Sequence, residues 1–149
     1  MEPAVILEYP LMFLAWLLLL YFIHRAAHVL PVIKKIHAHH HGFINKSSPR
    51  TWHWNNLVLF NDDWTSTLDL WVSEVIPTIL FSAITGHWWI FAFYYTWAAF
   101  IQERVEHDKT LNVYPLTCGR WHMVHHSNPK KNYGLIFPLW DKLFNTEAK

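Results

Sequence analysis

Apolar residues run almost without interruption from Ala4 to Ile23, twenty positions carrying one acid, Glu8. At 1.5 Å per residue a helix of that length spans roughly 30 Å, the thickness of a bilayer's hydrocarbon core. His24 falls where this helix leaves the lipid. Leu68 to Thr85 is a second apolar run, containing Asp69, Glu74 and Pro77; Gly86 breaks it, and His87 to Ile101 is a third. By the same rise these are about 27 and 22 Å long. They predict a helical hairpin that tilts across with local thinning, or enters and returns. Either way, both of its ends lie on one side. Asp69 and Glu74 are costly in lipid, so they are expected to face the bundle or the interface. The polar stretch Asn45–Pro49 reads as a loop.

Composition supports a lipid solvent. The chain has 149 residues, room for one domain spanning 1–149, and it is 52% hydrophobic with ten Trp and ten Phe. A soluble domain this small would struggle to hide so much aromatic surface. Trp88, Trp89, Tyr94, Tyr95 and Trp97 are expected mostly to face lipid or the interfacial belt, with a lipid-lining groove as the alternative. The N-terminus lacks a basic start and a small-residue cleavage site, so it reads as a retained anchor. All twelve Lys and Arg fall within residues 24–67 and 102–149. The positive-inside rule places both stretches in the cytosol. The expected fold is therefore all-α: an integral membrane helical bundle of one N-terminal spanning helix plus an apolar hairpin, with a cytosolic histidine-rich helical cap.

Charge and cysteine content remove other classes. A net charge of +1 gives no reason to expect nucleic acid as a partner. The single cysteine, Cys118, excludes an internal disulfide and a cysteine zinc site. The four glycines are scattered, so there is no dinucleotide loop, and any redox chemistry would draw electrons from another protein.

Histidine is the outlier, with twelve residues, eleven of them on the side that carries the lysines and arginines. HRAAH holds His24 and His28. HAHHH holds His37, His40 and His41 in an HxxHH pattern, and HMVHH repeats it with His122, His125 and His126. On a helix, positions i, i+3 and i+4 share a face, so each box can aim its rings at one spot. Neutral imidazole suits iron, zinc, copper and nickel. Eight such rings exceed what one tetrahedral zinc can use, and suffice for two metals of higher coordination number. His107 follows the third apolar run as His24 follows the first, so it lies at the right height. Glu103 or Glu106 can orient an imidazole from outside. His39 is off the stripe of its neighbours and is expected outside the ligand set or in solvent. His53 is expected to pack beside Trp52 and Trp54, and His87 lies at the opposite turn.

These boxes, followed by NYG at Asn132–Gly134 and WDKLFNT at Trp140–Thr146, resemble the fatty acid hydroxylase and sterol desaturase superfamily. The resemblance runs from about Tyr21 to Thr146. It implies an integral membrane enzyme that hydroxylates or desaturates lipids, sterols or carotenoids. It also implies a di-iron centre, dioxygen as co-substrate and electrons from an NAD(P)H-linked chain. By resemblance His24, His28, His37, His40, His41, His122, His125 and His126 are ligands of two Fe ions, and His107 matches the histidine between the last two boxes. These nine are the candidate catalytic and metal residues. The Asn-Tyr-Gly segment would close the site. Two positions depart from the pattern: Gly42 follows the second box where many relatives have Ser, and Leu111 stands where some carry a further histidine.

The expected function is a lipid hydroxylase or desaturase acting on a fatty acyl, sterol or related substrate. Its redox partner would be an acidic protein such as cytochrome b5 or a ferredoxin with its reductase, docked at Lys130 and Lys131; the same lysines could instead touch lipid headgroups. The metal site would face the cytosol from the endoplasmic reticulum of a eukaryote or the inner membrane of a bacterium. A homodimer would bury so small a membrane bundle better. The alternatives are a zinc-dependent membrane hydrolase, which would leave most rings surplus, and a non-enzymatic metal-binding or transport protein.

Overall fold

The uninterrupted apolar run at the N-terminus forms helix α1 over Pro3–Ala27, in the computed structural model of the protein. The structure describes residues 3–44, 52–61 and 63–148, with side chains from residue 7 onward and without that of Glu103. The expected loop Asn45–Pro49 lies outside the described residues. After a short turn at Ala26–Leu30, α2 covers Pro31–Ile44. Pro31 opens it, in the first turn where a missing N–H leaves no helical bond unmade.

The hairpin follows. Asp63 caps α3 (Trp64–Leu70) by accepting from the Thr65 and Ser66 amides at 2.8 and 3.1 Å. A π-helical turn, Trp71–Val75, joins α3 to α4 (Ile76–Thr85), giving one rod of 22 residues. At about 33 Å it is longer than the apolar run suggested, because its polar first turn is helical too. Gly86, at φ +76°, ends the rod in the left-handed conformation that glycine accepts freely. The return arm is α5 (Trp88–Trp97), continued by a second π-helical stretch, Ala98–Glu106. Two short helices complete the chain, α6 (Arg120–Ser127) and α7 (Leu139–Leu143). No strand occurs among the described residues; Asn112 and Gly119 form one isolated bridge.

Helix α1 runs alongside the hairpin. Glu8 Oε1 lies 3.2 Å from Nε2 of His87 at the hairpin turn, and Tyr9 packs on His87 and Trp89. Phe13 meets Trp89 and Phe93; Trp16, fully buried, packs on Phe93 and Tyr94 and donates to Thr78 Oγ1 at 2.9 Å. The end of α1 that carries His24 therefore meets the open end of the hairpin. The two rods Leu7–Ala27 and Trp64–Thr85 are each long and apolar enough to cross a membrane. The aromatic belt differs from expectation. Tyr94 and Trp97 are core residues, and the Tyr95 hydroxyl donates to Leu57 O at 2.7 Å, whereas Trp88 is exposed. The face of α5 toward α1 needs large rings to fill the gap between two helices.

Gly119 positions the last histidine helix. Its φ is +69°, and a Cβ there would lie 2.5 Å from Leu111 O. That closeness lets its own amide donate to Glu106 O at 2.9 Å and lets Arg120 N reach Leu111 O at 2.8 Å. Gly119→Ala should destabilise the protein by about 2–3 kcal/mol through backbone strain and overlap. Thermal unfolding in detergent measures this; an unchanged midpoint would contradict it.

Candidate metal centre

Nine imidazoles meet at the open end of the bundle, and they form two groups. In the first, one ring nitrogen from each of His24, His28, His37, His41 and His125 lies within 4.8 Å of every other; His40, His107, His122 and His126 do the same in the second. Every residue singled out from the sequence as a candidate ligand is brought into one group or the other. The groups share a wall: the His41 and His126 rings stack at 4.2 Å between centroids.

The expectation that each HxxHH box aims all its rings at one spot is corrected: each box is divided between the two groups. Each HxxHH box lends its i, i+4 pair to one group and its i+3 ring to the other. His37 and His41 enter the first group while His40 enters the second; His122 and His126 enter the second while His125 enters the first. At about 100° per residue, i+4 lies about 40° to one side of i and i+3 about 60° to the other. Three rings spread over that arc serve two points better than one.

In the first group, the ring atoms facing inward are Nε2. His24 and His125 approach at 3.0 Å; His28–His125, His28–His37 and His37–His41 are each 3.1 Å apart. Three of these rings are engaged on the far side. His24 Nδ1 donates to Tyr133 O at 2.8 Å, His125 Nδ1 to Lys131 O at 2.7 Å, and His37 Nδ1 to Asp69 Oδ2 at 2.9 Å. Outward donation fixes the tautomer and leaves Nε2 as a lone pair. His24 and His125 thus aim lone pairs at each other with no proton between them, a repulsive arrangement that a cation converts into a bonded one. In the second group His122 and His126 meet at 3.0 Å through Nε2, and His122 Nδ1 lies 3.4 Å from Glu106 Oε1.

Burial keeps the rings neutral. It pushes His28 down to about 3, His41 to about 2 and His125 to about 4. The same burial, reinforced by neighbouring imidazoles, holds His40, His122 and His126 well below the ordinary histidine value. Neutral imidazole is the form that binds a metal.

The supporting residues were the less legible part. Asp69, from the first arm of the hairpin, holds His37. Glu106 faces His122, and the Glu103 side chain lies outside the described residues. The two π-helical turns bring Glu74 and Gln102 together: Gln102 Nε2 donates to both Glu74 oxygens at 2.9 and 3.0 Å, and the Tyr94 hydroxyl donates to Oε2 at 3.1 Å. They border a polar cavity of about 30 Å³, also lined by His40, His107 and His122. It has room for a water or a diatomic molecule. His39 stays outside both groups, exposed, with Nε2 3.3 Å from Asp63 Oδ1. His53 is likewise outside, 6.3 Å from the Trp54 ring, and His87 is at the opposite turn.

A family model for fatty acid hydroxylases matches residues 9–146. The chain belongs to the fatty acid hydroxylase family. It is 30% identical over 87% of its length to methylsterol monooxygenase 1 of Danio rerio, covering 43% of that protein. It is 24% identical over 92% of its length to Delta(7)-sterol 5(6)-desaturase erg3B of Aspergillus fumigatus, covering 38% of it. The chain thus spans less than half the length of the curated relatives it matches. No solved structure matches it. The family match includes all nine histidines and both C-terminal motifs.

The depressed histidines set a pH dependence. Unfolded, these rings titrate near 6.5; folded, they resist protonation to well below that. Below about pH 6.5 the unfolded chain therefore binds more protons than the folded one, and stability falls with pH. Metal-free protein should keep its full stability above pH 6.5 and lose it progressively toward pH 4. Melting temperatures across that range measure this, and a flat profile would contradict it.

Proposed function

We propose that this fatty acid hydroxylase family member is a membrane-embedded di-iron oxygenase that hydroxylates or desaturates a lipid, fatty acyl, sterol or related. One observation carries the reading: nine imidazoles, drawn from four separate stretches of chain, converge as adjacent groups of five and four. A zinc hydrolase needs three or four ligands, which leaves most of this arrangement without a purpose. Bound iron supplies the activation of dioxygen that an unactivated C–H bond requires, since no side chain attacks such a bond.

The chain's own residues do the rest. The five-ring group offers one metal an almost complete set of nitrogen ligands, and the four-ring group leaves more of the second metal open. Asp69 and the Lys131 and Tyr133 carbonyls hold the rings in orientation and, by accepting Nδ1 protons, make the inward nitrogens more basic, while Glu106 faces His122 Nδ1 at 3.4 Å. The small polar cavity lined by His24, His37, His40, His107 and His122 has room for dioxygen or water. Substrate reaches the rings from the lipid side. Leucines and isoleucines such as Leu7, Leu11, Leu80 and Ile84 are left exposed on the long helices, as a lipid solvent requires. The clustering of lysine and arginine at the histidine end supports a cytosolic face. Electrons come from a separate acidic redox protein, such as cytochrome b5 or a ferredoxin with its reductase, and the exposed Lys130 beside the last box favours its docking. Both named relatives act on sterols, as their names say, one as a monooxygenase and one as a desaturase, and the two reactions can begin with the same hydrogen abstraction.

Expression in a host of known lipid composition, followed by mass spectrometry, tests this. An oxygen-dependent gain of one oxygen atom, or loss of two hydrogens, is expected in one lipid class. His40→Ala and His41→Ala should each lower product by at least about 100-fold, beyond the 10–100-fold that losing a supporting residue costs. Iron-loaded protein that leaves the lipids unchanged, or full turnover by both variants, would contradict the proposal.

A further inference from the structure

The C-terminal segment reaches two of the five rings through the peptide backbone. Tyr133 O accepts from His24 Nδ1 at 2.8 Å, and the N–H of that same peptide unit, on Gly134, donates to Asp141 Oδ2 at 2.7 Å. One peptide group is thus clamped between a histidine and a carboxylate. The pattern recurs two residues earlier. Lys131 O accepts from His125 Nδ1 at 2.7 Å, and the N–H of that unit, on Asn132, donates to Thr146 O at 2.9 Å. The two anchors are tied together: Thr146 Oγ1 donates to Asp141 Oδ1 at 2.7 Å, and Thr146 N to Asp141 O at 2.8 Å. Tyr21, one turn before His24, donates its hydroxyl to Thr146 Oγ1 at 2.9 Å.

The surroundings fit a device built for closeness. Asp141 is fully buried, and its Oδ1 also accepts from Tyr133 N at 2.8 Å. A Cβ at Gly134 would lie 2.7 Å from Asp141 Oδ2 and 2.6 Å from Phe137 O, so glycine is what lets the peptide reach the carboxylate. Asn132 locks the strap from the other side, donating to Trp121 O and Ala148 O at 3.1 Å each and accepting from Ala148 N at 2.7 Å.

We infer that Asp141 and Thr146 are positioning residues for the five-histidine group alone, acting on His24 and His125 through the 133–134 and 131–132 peptide units. Resting on the proposed metal centre, this assigns the C-terminal motif a chemical task. A carboxylate hydrogen-bonded to a peptide N–H polarises that peptide, so its carbonyl becomes a stronger acceptor and the histidine beyond it a stronger ligand. Asp69 does the same for His37 directly; Asp141 does it for His24 across one peptide. The two imidazoles that this strap holds, His24 and His125, both belong to the first group, so its loss should be felt by one metal and not the other.

Co²⁺ titration of the full chain in detergent micelles, followed by the metal's visible absorption, tests the inference without any turnover. The wild-type chain is expected to take up two equivalents. Asp141→Asn and Thr146→Val should each weaken one of the two by about 10–100-fold while leaving the other unchanged. Thr78→Val, which breaks the Trp16–Thr78 bond in the hairpin, serves as the control: it should lower thermal stability and keep both equivalents. Retention of both equivalents at wild-type affinity in the Asp141 and Thr146 variants would overturn the inference. Parallel loss of both equivalents would overturn it too, since that is what general unfolding does. A wild-type chain that takes up no Co²⁺ would sink the metal centre itself, a separate and recognisable failure.

Discussion

Lone pairs repel, and the centre of this structure is a place where they are aimed at one another. His24 and His125 face each other at 3.0 Å while their remaining nitrogens are committed elsewhere. Burial keeps His28, His40, His41, His122, His125 and His126 from escaping by protonation, because a charged imidazole would lose its water. A cation placed between such rings turns that repulsion into attraction. The rest of the fold holds nine rings in that position and supplies each outward nitrogen of the five-ring group's key members with a partner.

The helices meet this constraint by geometry of a simple kind. A box of three histidines covers too wide an arc for one ion and the right arc for two, so both HxxHH boxes bridge the groups and fix their spacing. The hairpin contributes what α-helical periodicity alone would not. Its two π-helical turns carry Ser73 and Glu74 on one arm and Gln102 and Glu106 on the other, all bordering the polar cavity. Polar groups in an apolar hairpin are expensive unless they face inward and pair, and Glu74 with Gln102 and Tyr94 does so.

Much of this was legible in the sequence because spacing is a geometric statement. The Ala4–Ile23 run and the Gly86 break gave the helices, the histidine boxes gave eight members of the two groups, and the place of His107 after the third apolar run gave the ninth. The hairpin arms extend beyond their apolar runs, since Thr65–Thr67 and Gln102–Glu106 are mostly polar and a hydropathy pattern cannot tell a helical polar turn from a loop. The assignment of rings to groups was not readable, because i+3 and i+4 look alike in a pattern and diverge only when a second helix approaches. Nor was the role of Asp69: an acid in an apolar run signals a cost, and only the fold reveals that His37 offsets it. The task of Tyr133 and Lys131 is carried by backbone carbonyls, which leave no trace in residue identity. Asp141 and Thr146 stood out only as parts of a family motif.

The most direct test of the central claim is anomalous scattering at the iron absorption edge from crystals of the iron-loaded protein. Two peaks per chain are expected, one among His24, His28, His37, His41 and His125, the other among His40, His107, His122 and His126. A single peak, or iron bound away from these rings, would contradict the account.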